Sequence, residues 1–276
     1  MARRGKPVIA ILTDFGYRDH YAGAMKGVIA SIAPSAQVID ITHGVPPQSI
    51  VAGALALRES WRHFPRDTIF LAVVDPGVGT ARKPIAIETR AGARFVGPDN
   101  GVLALAADEA RIARVVSLQS ARYRAARVSS TFHGRDIFAP AAAWLARGVG
   151  LGSFGPGLAR IHQLRLPCPE VSQARIRGEV IYVDGFGNLV TNISRANIEL
   201  LQTSFPSDGL LVRLENGAAM RIVGTYADAD GPLATFGSFE LVEIAVRNGD
   251  ASRYFDAAAG ASVTVTPGTA RRAKRS

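Results

Sequence analysis

The first half of the chain alternates between two hydrophobic periods. Pro7 to Thr13 and Gln37 to Thr42 read as strands, and Ile69 to Val74 is an unbroken apolar run of the kind a strand buried on both faces shows. Between them, Tyr21 to Ala33 places Met25, Val28, Ile29 and Ile32 on one helical face and stops at Pro34. Ser49 can cap a second helix, in which Ile50, Ala54, Leu57 and Trp61 recur at i, i+4, i+7 and i+11. The order βαβαβ predicts a mostly parallel sheet with helices on both faces, because right-handed crossovers put them there. From Ser129, the run SSTFHGRDIFAPAAAWLARG reads as a polar entry to a helix burying Ile137, Ala141, Trp144 and Leu145. Pro140 fits only its first turn or a kink.

After Pro167 and Pro169 the pattern turns to short strands: Glu179 to Val183, Leu189 to Ile193, Leu210 to Glu215, Met220 to Val223, Leu241 to Val246 and Ser262 to Val265. Asn216-Gly217 is a hairpin signal between two of them. The expectation is an α/β protein: an N-terminal domain over residues 1–168 and a smaller C-terminal antiparallel β-barrel over 169–276. Gly148 to Gly157 contains a formal G-x-G-x-x-G, but it follows a helix rather than a strand and reads as a helix stop and linker.

In a parallel sheet the carboxyl ends of the strands share one edge, where ligands collect. Asp14 follows the first strand, His43 the second, Asp75 the third, and Asp99-Asn100 the strand around Arg94 to Val96, so four polar loops are expected to face one crevice. Turn chemistry alone is the plain alternative for each. The stretch VVDPGVGTARK stands out, because it ends a strand and delivers Asp75 and, seven residues on, Arg82. His133 lies near a helix N-terminus, where free N–H groups and the dipole favour a neutral imidazole or an anion.

Composition narrows the classes. The 276 residues are 47% hydrophobic and 20% charged, as in a folded globular protein, and no apolar run approaches the roughly 20 residues of a membrane-spanning helix. MARRGK before PVIAILTDFG mimics a signal peptide, yet Asp14 interrupts the run early and a first strand is expected. Cys168 is the single cysteine, which excludes an internal disulfide, disfavours a cysteine-based zinc site and points to the cytoplasm. The net charge of +9 sits partly in the ends, in Arg3, Arg4 and Lys6 and in Arg271, Arg272, Lys274 and Arg275. Such runs read as solvated tails rather than a specific nucleic-acid surface.

Taken in order, TDFG, Asp19-His20-Tyr21 with Met25-Lys26-Gly27, DITHGVPP, VVDPGVG, GPDNG, STFHGRDIF, DGFGNLVTNI, TYAD and LVEIAV span about residues 7 to 265. In these motifs the chain resembles the S-adenosyl-L-methionine hydroxide adenosyltransferases, hydrolase relatives of the fluorinase and chlorinase enzymes. The resemblance implies an N-terminal α/β domain, a C-terminal β-barrel, and a homotrimer with sites where neighbouring subunits meet. It implies that water attacks C5′ of S-adenosyl-L-methionine (SAM), releasing adenosine and L-methionine without a cofactor or metal. The family's catalytic Asp-Arg-His set falls on Asp75, Arg82 and His133, whereas halogenating relatives carry other residues, such as a tyrosine, at the Asp75 and His133 positions. By the same resemblance Asp14 holds the ribose diol, Asn188 reaches the nucleoside, Asp184 meets the methionine ammonium and Ser238 lies near its carboxylate. Val246 and Arg247 offer the adenine-reading backbone, with Glu243 close by. Phe239-Glu240 departs from the family, where small residues or an arginine are common.

The residue types suit that chemistry. A sulfonium departs as a neutral thioether, so the leaving group requires neither acid nor metal. Water must be aligned and relieved of a proton, which suits His133 or Asp75, while Arg82 orients and stabilises charge. The competing expectations are a halogenase of the same fold and a non-catalytic adenosine or SAM binding module.

Overall fold

The unbroken apolar runs form the middle of a six-stranded sheet in a computed structural model of the protein. Residues 5–205, 209–215, 217 and 219–268 are described. The basic residues Arg3, Arg4, Arg271, Arg272, Lys274 and Arg275, and Asn216 of the hairpin signal, lie outside them. Two units divide between Leu164 and Arg165.

The first unit runs β1 (Val8–Thr13), α1 (Tyr21–Ile32), β2 (Gln37–Thr42), α2 (Ile50–Ser60), β3 (Ile69–Val73), β4 (Pro84–Thr89), β5 (Arg94–Pro98), α3 (Ala104–Glu109), β6 (Ile112–Ser117) and α4 (Ala139–Ala146). The strand order is β2-β1-β3-β5-β4-β6, and only β4 runs against the rest. Alternate residues explain the layering. Ile9 and Ile11 join Ile69, Leu71 and Val73 in one core with Met25 and Ile29 of α1 and the alanines of α4. Leu12 points the other way, towards α2, where a Cβ on Gly53 would touch Val74, Val102 and Leu12. The predicted Ser49 cap is present, its hydroxyl accepting from the Ala52 amide at 3.3 Å. β4 and β6 were not expected from the alternation of strands and helices; they extend the sheet by antiparallel pairing.

Pro140 explains a local irregularity that shapes the site. Gly134–Phe138 forms a π-turn ahead of α4, with the Ala139 amide bonding the Gly134 carbonyl five residues back. Pro140 cannot donate to the Asp136 carbonyl, and the Ala125 amide takes that acceptor instead at 2.8 Å. Gly148 does end the helix, but the following segment is no linker. Leu151 and Phe154 are buried in the first core, and Gly157 bridges Val116 at the edge of β6.

The second unit holds β7 (Glu170–Val171), β8 (Ile176–Val183), β9 (Leu189–Ser194), α5 (Arg195–Ser204), β10 (Leu210–Leu214), β11 (Ala219–Arg221), β12 (Pro232–Phe236), β13 (Leu241–Val246), α6 (Ala251–Phe255) and β14 (Ser262–Pro267). Its antiparallel order, β11-β10-β14-β8-β9-β13-β12, nearly closes on itself. Ile222 bridges Ala234, and the Val223 amide bonds the Ala234 carbonyl at 2.8 Å. Ile176, Val180, Leu189, Ile193, Val212, Ile244 and Val265 fill the barrel.

Candidate active site

β1, β2, β3 and β5 run parallel, so the four polar loops do share one edge of the sheet. They divide there. Asp14 and Asp75 line a cleft of about 400 Å³. Asp99 instead accepts from the His162 amide at 2.7 Å, and the Asn100 side chain donates to the Val74 carbonyl at 2.8 Å, so both tie distant segments of the chain together. His43 is 1% exposed and lies behind the cleft.

The loop after β3 folds back through two turns, Val78 N to Asp75 O at 3.2 Å and Thr80 N to Gly77 O at 3.1 Å, and so returns Arg82 to Asp75. Gly79 is required here: its φ is +79°, and a Cβ would stand 2.7 Å from the Ser130 carbonyl. Arg82 Nε lies 3.0 Å from both Asp75 carboxylate oxygens, and Nη2 also bonds Oδ2. Nη2 reaches His133 Nδ1 at 2.7 Å, and the guanidinium carbon sits 5.2 Å from the Phe138 ring centroid. The three predicted residues thus form one contact chain, with the Asp75 and Arg82 side chains 5% and 9% exposed.

The guanidinium can only donate, so His133 Nδ1 accepts and the ring proton of the neutral imidazole is on Nε2. Burial, and then the Arg82 charge, lower the His133 pKa, against smaller opposing effects of Asp75 and Asp136. Protonation would set a cation against Arg82. The acid limb of any His133-dependent activity should therefore lie below the ordinary 6.5 of imidazole, a pH profile of kcat/KM being the check; an acid limb above 6.5 would contradict this geometry.

Asp14 has one oxygen, Oδ2, fixed by the Gln48 amide at 2.8 Å, where Gln48 adopts φ +65°. The apolar wall of the cleft was not expected from the sequence. Phe15, Tyr21 and Phe132 line the cleft, with Phe132 5.1 Å from Tyr21 and 6.0 Å from Phe15 between ring centroids. The signal was available, since each aromatic adjoins a quoted polar motif residue. Asp136 was also missed. It is 3% exposed, accepts from Arg135 Nε at 2.7 Å and from the Ser129 amide at 2.8 Å, and ties the loop before His133 to the π-turn.

In the second unit, Asn188, Val246 and Arg247 line a pocket of about 600 Å³ together with Phe186 and Tyr226. Asp184 is not among the described residues lining it. Its Oδ1 accepts from the Phe186 and Asn188 amides at 2.8 and 2.9 Å, and its Oδ2 from the Asn188 side chain at 2.9 Å, so it folds the DGFGN turn and orients Asn188. Glu243 accepts from the Tyr226 hydroxyl at 2.5 Å. Burial, seconded by Asp184, raises the Glu243 pKa despite that bond. Ser238 is exposed and is not among the described residues lining this pocket. In the neighbouring turn, Glu240 at φ +56° pairs with Arg195, which stacks on Phe236 at 4.0 Å. Among the described residues no group of three or more His, Cys, Asp or Glu is arranged to hold a metal ion, and no helix is long and apolar enough to cross a membrane.

Comparisons with known proteins converge. Residues 9–155 match the model of the SAM hydroxide adenosyltransferase N-terminal domain, and residues 178–264 that of the SAM hydroxide adenosyltransferase C-terminal domain. An (R)-S-adenosyl-L-methionine hydrolase of Salinispora arenicola is 39% identical over 95% of this chain and 98% of its own. A fluorinase of Actinoplanes is 27% identical over 96% of this chain and 99% of its own. The crystal structure of an uncharacterized conserved protein from Thermotoga maritima superposes with a TM-score of 0.83 at 38% identity, covering 94% of this chain and 99% of that one.

Proposed function

Because the chain belongs to the SAM hydroxide adenosyltransferase family, we propose that it hydrolyses S-adenosyl-L-methionine by attack of water at ribose C5′, releasing adenosine and L-methionine. The observation that carries this reading is the contact chain Asp75–Arg82–His133 on the wall of a cleft that also presents Asp14. The cleft suits a cationic substrate. Two carboxylates, three aromatic rings and the neutral imidazole line it, and Arg82, which is paired with Asp75, is not among the described residues lining it.

Within this reading the proton accounting favours Asp75 as the base. The single lone pair of neutral His133 is on Nδ1 and already engaged by Arg82, so the ring offers water an Nε2–H donor. The Asp75 carboxylate has lone pairs to spare. Water is held between the two, gives its proton to Asp75 as its oxygen bonds C5′, and the C5′–S pair leaves with methionine as a neutral thioether. Arg82 tethers both groups and limits the charge carried by the acid. Asp14, with one oxygen fixed by Gln48, keeps the other for the ribose hydroxyls. Asn188, Val246 and Arg247 serve the adenosine end, and Asp184 acts chiefly by orienting Asn188. Ser238 and Glu243 complete the proposed substrate set, Glu243 through Tyr226.

The chain is further proposed to act in the cytoplasm as a homotrimer with sites where neighbouring subunits meet. Large exposed aromatics at the second pocket, Phe186 at 81% and Tyr226 at 47%, support such an assembly, and sedimentation should give three times the chain mass. A halogenase reading is weaker, because Asp75 and His133 keep the hydrolytic set. Incubation with SAM and saturating chloride should yield adenosine and methionine; 5′-chloro-adenosine as the product would reverse this assignment, and unchanged SAM would leave a binding module.

A further inference from the structure

Behind the cleft lies a second chain of polar contacts that the proposed chemistry does not use. Thr13 ends β1 and His43 follows β2; both are almost wholly buried, at 0% and 1% exposure. Thr13 Oγ1 and His43 Nδ1 are 2.7 Å apart, while the Phe15 amide donates to the same hydroxyl at 3.2 Å. The Asp40 carboxylate that faces His43 Nε2 can only accept, which draws the ring proton of the neutral imidazole to Nε2 and leaves Nδ1 to accept from the Thr13 hydroxyl, whose oxygen accepts from Phe15. The His43 proton is then on Nε2, facing Asp40 Oδ1 at 3.2 Å. That contact is out of line for a well-formed hydrogen bond, and neither atom has another hydrogen-bond partner among the described residues. The other Asp40 oxygen is held by Lys26 Nζ at 2.6 Å and the Tyr17 hydroxyl at 2.9 Å.

Backbone contacts fix the same corner. The Gly16 amide bonds the His43 carbonyl at 2.8 Å, and the Val45 amide the Thr13 carbonyl at 3.4 Å. The Asp14–Phe15 turn is therefore held on both sides by residues around His43. Burial lowers the His43 pKa, with Asp40 opposing, which keeps the ring in the neutral state this pattern requires. Thr13 and His43 are sealed from water, so a partner lost at either leaves a buried polar atom unsatisfied and disturbs the next link.

We propose that Asp40, His43 and Thr13 are positioning residues for substrate, holding the turn so that Asp14 presents its free carboxylate oxygen and Phe15 its ring to the cleft. This rests on the SAM reading given above. None of the three touches the reacting atoms; they act through Asp14.

The test uses the full-length protein with SAM for kinetics and adenosine for binding. Thr13→Val removes the hydroxyl at constant shape, and Asp40→Asn removes the charge from the half-exposed end. Each should raise KM for SAM and the adenosine Kd about tenfold, the scale of one lost hydrogen bond in a buried chain, with kcat changed less than KM. Thr13→Ser, which keeps the hydroxyl, should restore both constants. The double variant should be no worse than the poorer single one, since both cut one chain. Folding is read by thermal melting, and if Thr13→Val fails to fold, Asp40→Asn decides. Unchanged KM and adenosine Kd in folded Asp40→Asn overturn the inference, provided Asp14→Ala raises both. If Asp14→Ala leaves both unchanged, or the wild type does not consume SAM, it is the SAM reading that fails.

Discussion

Replacing His133 with alanine is expected to lower turnover of SAM by roughly 10²–10⁴-fold while the protein stays folded, the range expected when one positioned proton-handling group is lost. His133 is half-buried at the entry to the π-turn, so removing its ring opens space towards the cleft rather than a sealed core void. The loss has two parts. In the proposed mechanism water loses the Nε2–H donor, and Arg82 Nη2 loses its acceptor at 2.7 Å, freeing the guanidinium to shift against Asp75. His133→Asn replaces the Nδ1 acceptor with an amide oxygen and should recover part of the tether but little of the rate. Steady-state kinetics beside a melting curve separate these effects. Turnover of folded His133→Ala within a factor of about three of wild type would remove His133 from the mechanism.

Arg82→Met has a different signature, because it damages stability as well as rate. The Asp75 carboxylate is 5% exposed and takes three of its contacts from Arg82. Without the guanidinium a nearly buried anion is left unpaired, and breaking such a pair typically costs about 3–5 kcal/mol. The lower end is expected here, since the cleft can admit water. Methionine keeps contact with the Phe138 ring that Arg82 now covers, so the loss is electrostatic rather than steric. Combining Arg82→Met with Asp75→Asn should recover most of the stability and none of the activity. Urea unfolding of the two single variants and the double variant forms the cycle; full additivity of the single losses would show that the pair is not coupled.

The legible parts of the sequence were those in which local pattern and tertiary structure agree. Met25 and Ile29 recur at helical spacing and do face the core, and Ser49 caps the helix it was expected to cap. The run before Asp75 is buried at every residue, as an unbroken apolar strand should be. β4 and β6 were missed because antiparallel strands added beyond β5 leave no trace in the βαβ alternation. The π-turn was half legible: Pro140 announced a first turn or a kink, but the Ala125 amide that takes the freed Asp136 carbonyl comes from 11 residues away, a contact no local propensity encodes. At the site, Asp75, Arg82 and His133 were found by motif and meet in space. Four polar strand ends were expected at one crevice, yet only Asp14 and Asp75 line it. Asp99 and Asn100 hold distant segments, and His43 is turned inward, a choice fixed by side-chain direction rather than residue type.

In the proposed mechanism water attacks C5′ directly, with Asp75, Arg82 and His133 preparing it. Incubation of the protein with SAM in ¹⁸O-enriched water, followed by mass spectrometry of the nucleoside, tests this most directly. The expected product is adenosine carrying ¹⁸O at the 5′ position, formed in equal amount with unlabelled L-methionine. Adenosine formed without the label would contradict it, as would SAM recovered unchanged.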